Sequence, residues 1–156
     1  MSEIKQDAIL SQRLLDAQVG VLGSMLIDPD TVPGVLARVR DEDFSNKDYR
    51  LVFQAIQARF RAGQAIDAIL VRETLGGGVD SPWTALLRDL MDVTATAAHV
   101  DDYVDALRSS VTLARLRALG AQLAEADRLE DAQGLLDQMR AQQVSRPPVK
   151  ATDMVE

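Results

Sequence analysis

Residues 98–144 read AHVDDYVDALRSSVTLARLRALGAQLAEADRLEDAQGLLDQMRAQQV. From Ala98 to Ala126 there is no proline, and the only glycine is Gly120. Val100, Tyr103, Val104, Leu107 and Val111 recur at helical spacing and form one apolar stripe. Leu113, Leu116, Leu119 and Leu123 form a second stripe, displaced around the axis. Asp127 is placed to cap another helix, with Glu130 and Asp131 in its first turn near the positive end of the dipole. The apolar positions of that helix are Leu129, Ala132, Leu136 and Met139. Two long amphipathic helices joined by a very short turn predict an antiparallel helical hairpin over 98–144. Ser145-Arg146-Pro147-Pro148 ends it, because proline cannot continue a helix, and residues 145–156 read as the start of a linker. A two-helix hairpin buries only its inner seam. The remaining apolar surface must meet the globular part or another chain, and self-association is the expectation.

Upstream, residues 12–97 read as a globular helical head and residues 1–11 as a disordered tail. The first helix is expected from about Gln12 to Ile27, with Leu15, Val19, Leu22 and Leu26 on one stripe. Gly20, Gly23 and Ser24 lower its propensity and mark a close approach by a neighbouring helix. Asp28-Pro29-Asp30 stops it. A short helix carries Val32, Val35, Leu36 and Val39, with Pro33 tolerable in its first turn. Ser45 is the candidate N-cap of a third helix faced by Tyr49, Val52, Phe53, Ile56 and Phe60, which Gly63 terminates. Asp67 caps a helix ending before Gly76-Gly77-Gly78, and that triplet reads as a connector because no Lys-Ser/Thr follows it. Ser81-Pro82 starts a further helix, from which Trp83, Leu86, Leu87 and Leu90 point inwards. No sustained apolar–polar alternation signals a strand. The fold class is therefore all-α: a compact bundle of short helices followed by a long antiparallel hairpin.

Composition narrows the chemistry. The formal net charge is −7, which disfavours gripping a phosphate backbone unaided. Locally basic stretches (Arg59 and Arg61; Arg108, Arg115 and Arg117) read as solvated faces. The absence of cysteine excludes disulfides, thiol catalysis and zinc ribbons, and the single His99 cannot make a histidine metal site alone. Met1-Ser2-Glu3-Ile4-Lys5 lacks a signal-peptide pattern, and the near-apolar run from Val19 to Ile27 is shorter than the ~20 residues a membrane span requires. A cytoplasmic, non-membrane protein is expected. Carboxylates cluster at helix starts, where capping accounts for them, so a small enzyme is a weak alternative. The short helices at 31–39 and 46–62 could imitate a helix-turn-helix regulator, against the acidic balance.

Signatures in a fixed order carry a resemblance. They are Asp16-Ala17-Gln18 with Leu22-Gly23-Ser24-Met25-Leu26, then Asp41-Glu42-Asp43-Phe44, Val52-Phe53-Gln54-Ala55-Ile56, Gly63 to Asp67, Thr94-Ala95, and His99 to Tyr103 before the hairpin. Over roughly residues 14–144 the chain resembles the N-terminal domain of DnaB-type replicative DNA helicases. It departs in lacking a proline before Asp43-Phe44 and before the first helix, in having Tyr49 where the family often has His, and in its Gly76-Gly77-Gly78 and Ser81-Pro82 loop.

The resemblance implies a module that pairs through its hairpin into dimers, assembles as a trimer of dimers into the collar of a hexameric helicase, and docks primase. The interface residues it suggests are Leu113, Leu116, Leu123, Leu129, Leu136 and Met139, with Arg115 and Arg117 at the rim and Asp16 on the first helix. It implies no catalytic, cofactor or metal site on this chain. The family's ATP and Mg belong to a RecA-like motor with a Lys-bearing phosphate loop, and Lys5, Lys47 and Lys150 follow no such glycines. DNA is then met only through the parent helicase. The expectation is a fragment of a longer helicase, with a stand-alone helicase-associated adaptor as the alternative.

Overall fold

The computed structural model describes residues 3–126 and 129–144. Among them are seven α-helices and no strand: α1 (Glu3–Ile27), α2 (Val32–Leu36), α3 (Lys47–Arg61), α4 (Ala68–Thr74), α5 (Pro82–Thr94), α6 (Val100–Ala124) and α7 (Leu129–Val144). The all-α expectation holds. The chain divides into a unit that runs to Ser110 and a second that begins at Val111. The division falls inside α6, not at residue 97 where the sequence reading placed the end of the head.

The first unit is organised around the C-terminal half of α1. Ala17, Val21, Leu22, Met25 and Leu26 are buried, as are Val52, Phe53 and Ile56 of α3, Leu87 and Leu90 of α5, and Val104 and Leu107 of α6. Phe44 and Phe53 lie with ring centroids 4.7 Å apart. Burial of side chains of this size stabilises by about 1.5–3 kcal/mol each. The small residues of α1 admit its neighbours. A Cβ on Gly20 would overlap the Tyr103 ring, and one on Gly23 would overlap Thr94 Oγ1 and the Leu90 carbonyl. Ser24 returns its hydroxyl to the Gly20 carbonyl at 2.7 Å, so its polarity is satisfied inside the core.

Two buried polar groups tie distant segments together. Gln18 is fully buried; its Nε2 donates to Ser45 Oγ at 2.8 Å, and its Oε1 accepts from the Asn46 N–H at 3.4 Å. Asp43 is buried in a 3-10 turn at Asp41–Asp43. Its Oδ2 accepts from Arg108 Nη1 at 2.9 Å and from the Arg40 N–H at 2.9 Å. Arg108 therefore belongs to a buried pair and not to a solvated face. The reason is topological: 65 residues separate it from its partner, and local charge pattern does not register that pairing.

Other details differ from the sequence reading. α1 begins at Glu3, so the expected disordered tail is helical from that residue. Residues 4–9 are exposed, and the segment has neither proline nor glycine, so nothing breaks the helix although no core stripe announces it. The cap of α3 is Asn46, not Ser45: Asn46 accepts from the Tyr49 N–H at 3.0 Å, leaving Ser45 for Gln18. Asp67 does cap α4, accepting from the Leu70 N–H at 2.8 Å. Ser81 makes no side-chain cap; its hydroxyl donates to the Gly78 carbonyl at 2.7 Å, closing the glycine loop. Trp83 and Leu86 are half-buried, not core anchors. Arg59, expected on a solvated face, donates to the Ala65 carbonyl at 2.6 Å and to Thr74 Oγ1 at 3.2 Å, bracing the turn at Gly63, whose φ is +69°. The proposed cap Asp127 and the linker 145–156 lie outside the described residues.

Five variants have expected outcomes. Gly23→Ala should lower stability in urea unfolding by about 1–3 kcal/mol, because the added methyl meets backbone on α5. Gly34→Ala, where nothing lies within 4 Å, should leave it within about 1 kcal/mol. Arg108→Met should cost about 3 kcal/mol or more by removing the guanidinium that neutralises the buried Asp43 carboxylate. Arg38→Met, on the exposed pair with Asp105, should cost about 1 kcal/mol or less. The Asp41 carboxylate is held below its usual pKa, chiefly by the Gln54 side-chain N–H at 2.9 Å. A depressed pKa means that the folded chain favours the ionised form. That stabilisation is full above about pH 5 and is lost as pH falls through the depressed value. Gln54→Met should therefore differ from wild type more at about pH 6 than at about pH 2.5, and a pH-independent difference would reduce Gln54 to packing alone.

Candidate protein-interaction surfaces

Unit two consists of α6 from Val111 onwards and α7. These helices run antiparallel: Arg115 Nη1, near the start of this stretch of α6, donates to Gln142 Oε1, near the end of α7, at 3.4 Å. Arg115, Ala118, Leu119, Gln138, Ala141 and Gln142 line the shallow depression between them. No described residue beyond Val111 is buried. Leu113, Leu129 and Leu136 are 47%, 73% and 41% exposed, values that set them apart from the core leucines of unit one. Leu116, Leu123 and Met139 are half-buried, as is Arg115, while Arg117 is exposed. Each helix thus keeps aliphatic surface exposed, Leu113 on α6 and Leu129 and Leu136 on α7.

Asp16 belongs to the other unit. It is exposed on α1 and accepts from Gln12 Nε2 at 2.8 Å. It lies on the rim of two depressions that flank Tyr103. One is bordered by Arg13, Ala106 and Ser109. The other is bordered by Leu15, Val19, Tyr49 and Val93. Val93 is 73% exposed beside that second depression. Sequence reasoning picked Asp16 but missed Tyr49, Val93 and Tyr103 as its neighbours. Tyr49 and Tyr103 were assigned to apolar stripes, and only the crossing of α3, α5 and α6 over α1 brings these residues together. α5 ends beside it at Ala95, whose φ of +62° is unusual for a residue bearing a Cβ.

Among the described residues no three His, Asp or Glu side chains gather as a metal-ligand set. No single described helix is long and apolar enough to cross a membrane; α1 passes such a test only together with the sharply bent segment Pro29–Leu36.

A helical head carrying solvent-facing depressions, followed by a hairpin with exposed leucines, defines an all-α domain. The sequence profile described as the DnaB-like helicase N terminal domain matches residues 11–109. This chain therefore belongs to the DnaB-like helicase N-terminal domain family. It is 26% identical over 132 residues to the replicative DNA helicase DnaB of Rhodothermus marinus, covering 82% of this chain and 14% of that protein. It is 29% identical over 119 residues to the replicative DNA helicase DnaB of Mycobacterium leprae, covering 71% and 19%. With the Haemophilus influenzae protein of the same name it shares 27% over 113 residues, covering 70% and 24%. The chain thus spans between about a seventh and a quarter of these relatives. The crystal structure of the N-terminal domain of DnaB helicase from Mycobacterium tuberculosis superposes with a TM-score of 0.67 at 27% identity, covering 84% of this chain and 96% of that one.

Proposed function

We propose that this chain is the collar module of a replicative DNA helicase, pairing through α6 and α7 into dimers that assemble as a trimer of dimers. The observation that carries the reading is the uncovered hairpin. Leu113, Leu129 and Leu136 are exposed in a unit that buries no described residue beyond Val111, and burial of apolar surface is what such helices need in order to persist. The names of the relatives, replicative DNA helicases, support DNA replication as the setting. The partner copy would cover Leu113, Leu116, Leu123, Leu129, Leu136 and Met139, with Arg115 and Arg117 at the rim.

Primase is the second proposed partner, met at the hairpin and at the Asp16 depressions, where a carboxylate sits beside two tyrosines and an aliphatic rim. ATP hydrolysis, its Mg and contact with DNA are assigned to the motor of a parent helicase, and the setting to the cytoplasm. The helix-turn-helix alternative is not favoured. The 3-10 turn between α2 and α3 is acidic throughout (Asp41, Glu42, Asp43), a poor approach to a phosphate backbone.

Sedimentation equilibrium tests the pairing. The chain should associate, and Leu129→Glu with Leu136→Glu should give monomers whose far-ultraviolet circular dichroism still reports a folded head. A wild-type chain that stays monomeric at high concentration, or a double variant that dimerises unchanged, overturns the assignment.

A further inference from the structure

We infer that the depression between α4 and α5 docks an acidic amphipathic segment of a partner protein, seating an aliphatic side chain on its floor and a carboxylate near Arg72 and Arg88. The depression encloses about 300 Å³, with Ile69, Leu87 and Met91 supplying the apolar lining. That volume is at the small end for ligand sites and suits one or two aliphatic side chains. Ile69 is 59% exposed at its edge, an aliphatic residue that α4 does not use for the core.

The polar groups decide the sign of the occupant. Arg72 Nη1 donates to Thr84 Oγ1 at 3.2 Å, but its Nε is shielded from solvent and makes no hydrogen bond among the described residues. Nε is thus out of a ligand's reach; what the Arg72 guanidinium brings to the lining is its positive charge, and a guanidinium is a receptor for a carboxylate. Arg88 adds a second guanidinium to the lining, against the single carboxylate of Asp92. On a chain of net charge −7, this is a locally cationic, apolar-floored surface. Acidic peptide fits both halves of that description. A nucleic-acid backbone would satisfy the arginines but leave the apolar floor unused. The depression lies wholly in the first unit, so the inference does not depend on the hairpin pairing.

The test uses the full chain, labelled with nitrogen-15 and followed by amide chemical shifts. One probe is a blocked 14-residue helical peptide with Leu at i and i+4 flanked by Glu. A second carries Lys in place of every Glu, and a third is an oligothymidine of similar length. The acidic peptide should shift amides of α4 and α5, and the lysine peptide should bind at least about tenfold more weakly. Ile69→Ser and Arg88→Gln both alter exposed residues, and each should weaken the acidic peptide at least about fivefold while the spectrum stays that of a folded chain. Three results overturn the inference. They are no shift in α4 and α5 with the acidic peptide, equal binding of the lysine peptide, or stronger shifts of the same amides by oligothymidine.

Discussion

The packing of the first unit rests on how closely α1 can be approached. Gly20 and Gly23 stand one turn apart on a helix whose other inward positions are Ala17, Val21, Leu22 and Met25. Tyr103 of α6 fills the notch at Gly20, and the end of α5 fills the notch at Gly23. Each glycine weakens the isolated helix by about 1 kcal/mol relative to Ala. The contacts they admit outweigh that, because α5 and α6 both reach the α1 backbone and bring Leu87, Leu90, Val104 and Leu107 within the core. Thr94 finishes the arrangement: its hydroxyl satisfies the Leu90 carbonyl at 2.7 Å and reaches the Val19 carbonyl at 3.3 Å, so nothing polar is left stranded at the contact.

A second layer of constraint is polar. Gln18 links α1 to the start of α3, and Asp43 links the turn before α3 to α6. Both are interior groups that would themselves be left unsatisfied if the partner were lost, which costs more than the bond itself contributes. Arg50 adds a third tie, donating from Nη2 to the Phe44 carbonyl at 2.9 Å and holding that ring against Phe53. The Gln, Asp-Phe and Val-Phe signatures are thus one structural statement. They fix the entry to α3 against α1 on one side and α6 on the other.

Much of this was legible in the sequence because it is written in local periodicity. The stripes of α3 and α6, the caps at Asp67 and Gly63, and the small residues of α1 all follow from spacing and from residue chemistry. What escaped reading has a common physical origin. Ser45 and Asn46 are adjacent and equally good caps, and the choice was made by Gln18, 27 residues away from Ser45. Arg108 sits among other arginines, and only the fold brings Asp43 to it. The first turns of α1 carry no buried stripe, so their helicity rests on local preference, which periodicity does not detect. The Asp16 depression is visible only once four helices cross, whereas the hairpin leucines were plain because each helix states its own apolar positions.

The two units differ in what they can supply for themselves. The first closes a core with paired interior polar groups. The second buries no described residue beyond Val111, so its seam removes less apolar area from water, at about 25 cal/mol per Å². Ordering a helix costs about 1–2 kcal/mol of backbone entropy per residue, so a seam of that size cannot by itself hold two helices of this length. On the proposed pairing, the missing area comes from a second copy, and the exposed leucines are then the terms that make hairpin folding and association a single equilibrium. The coupling has a consequence for how the surfaces divide their work. A hairpin whose order depends on pairing reports assembly, while depressions carved into the self-sufficient head remain formed whether or not the chain is assembled.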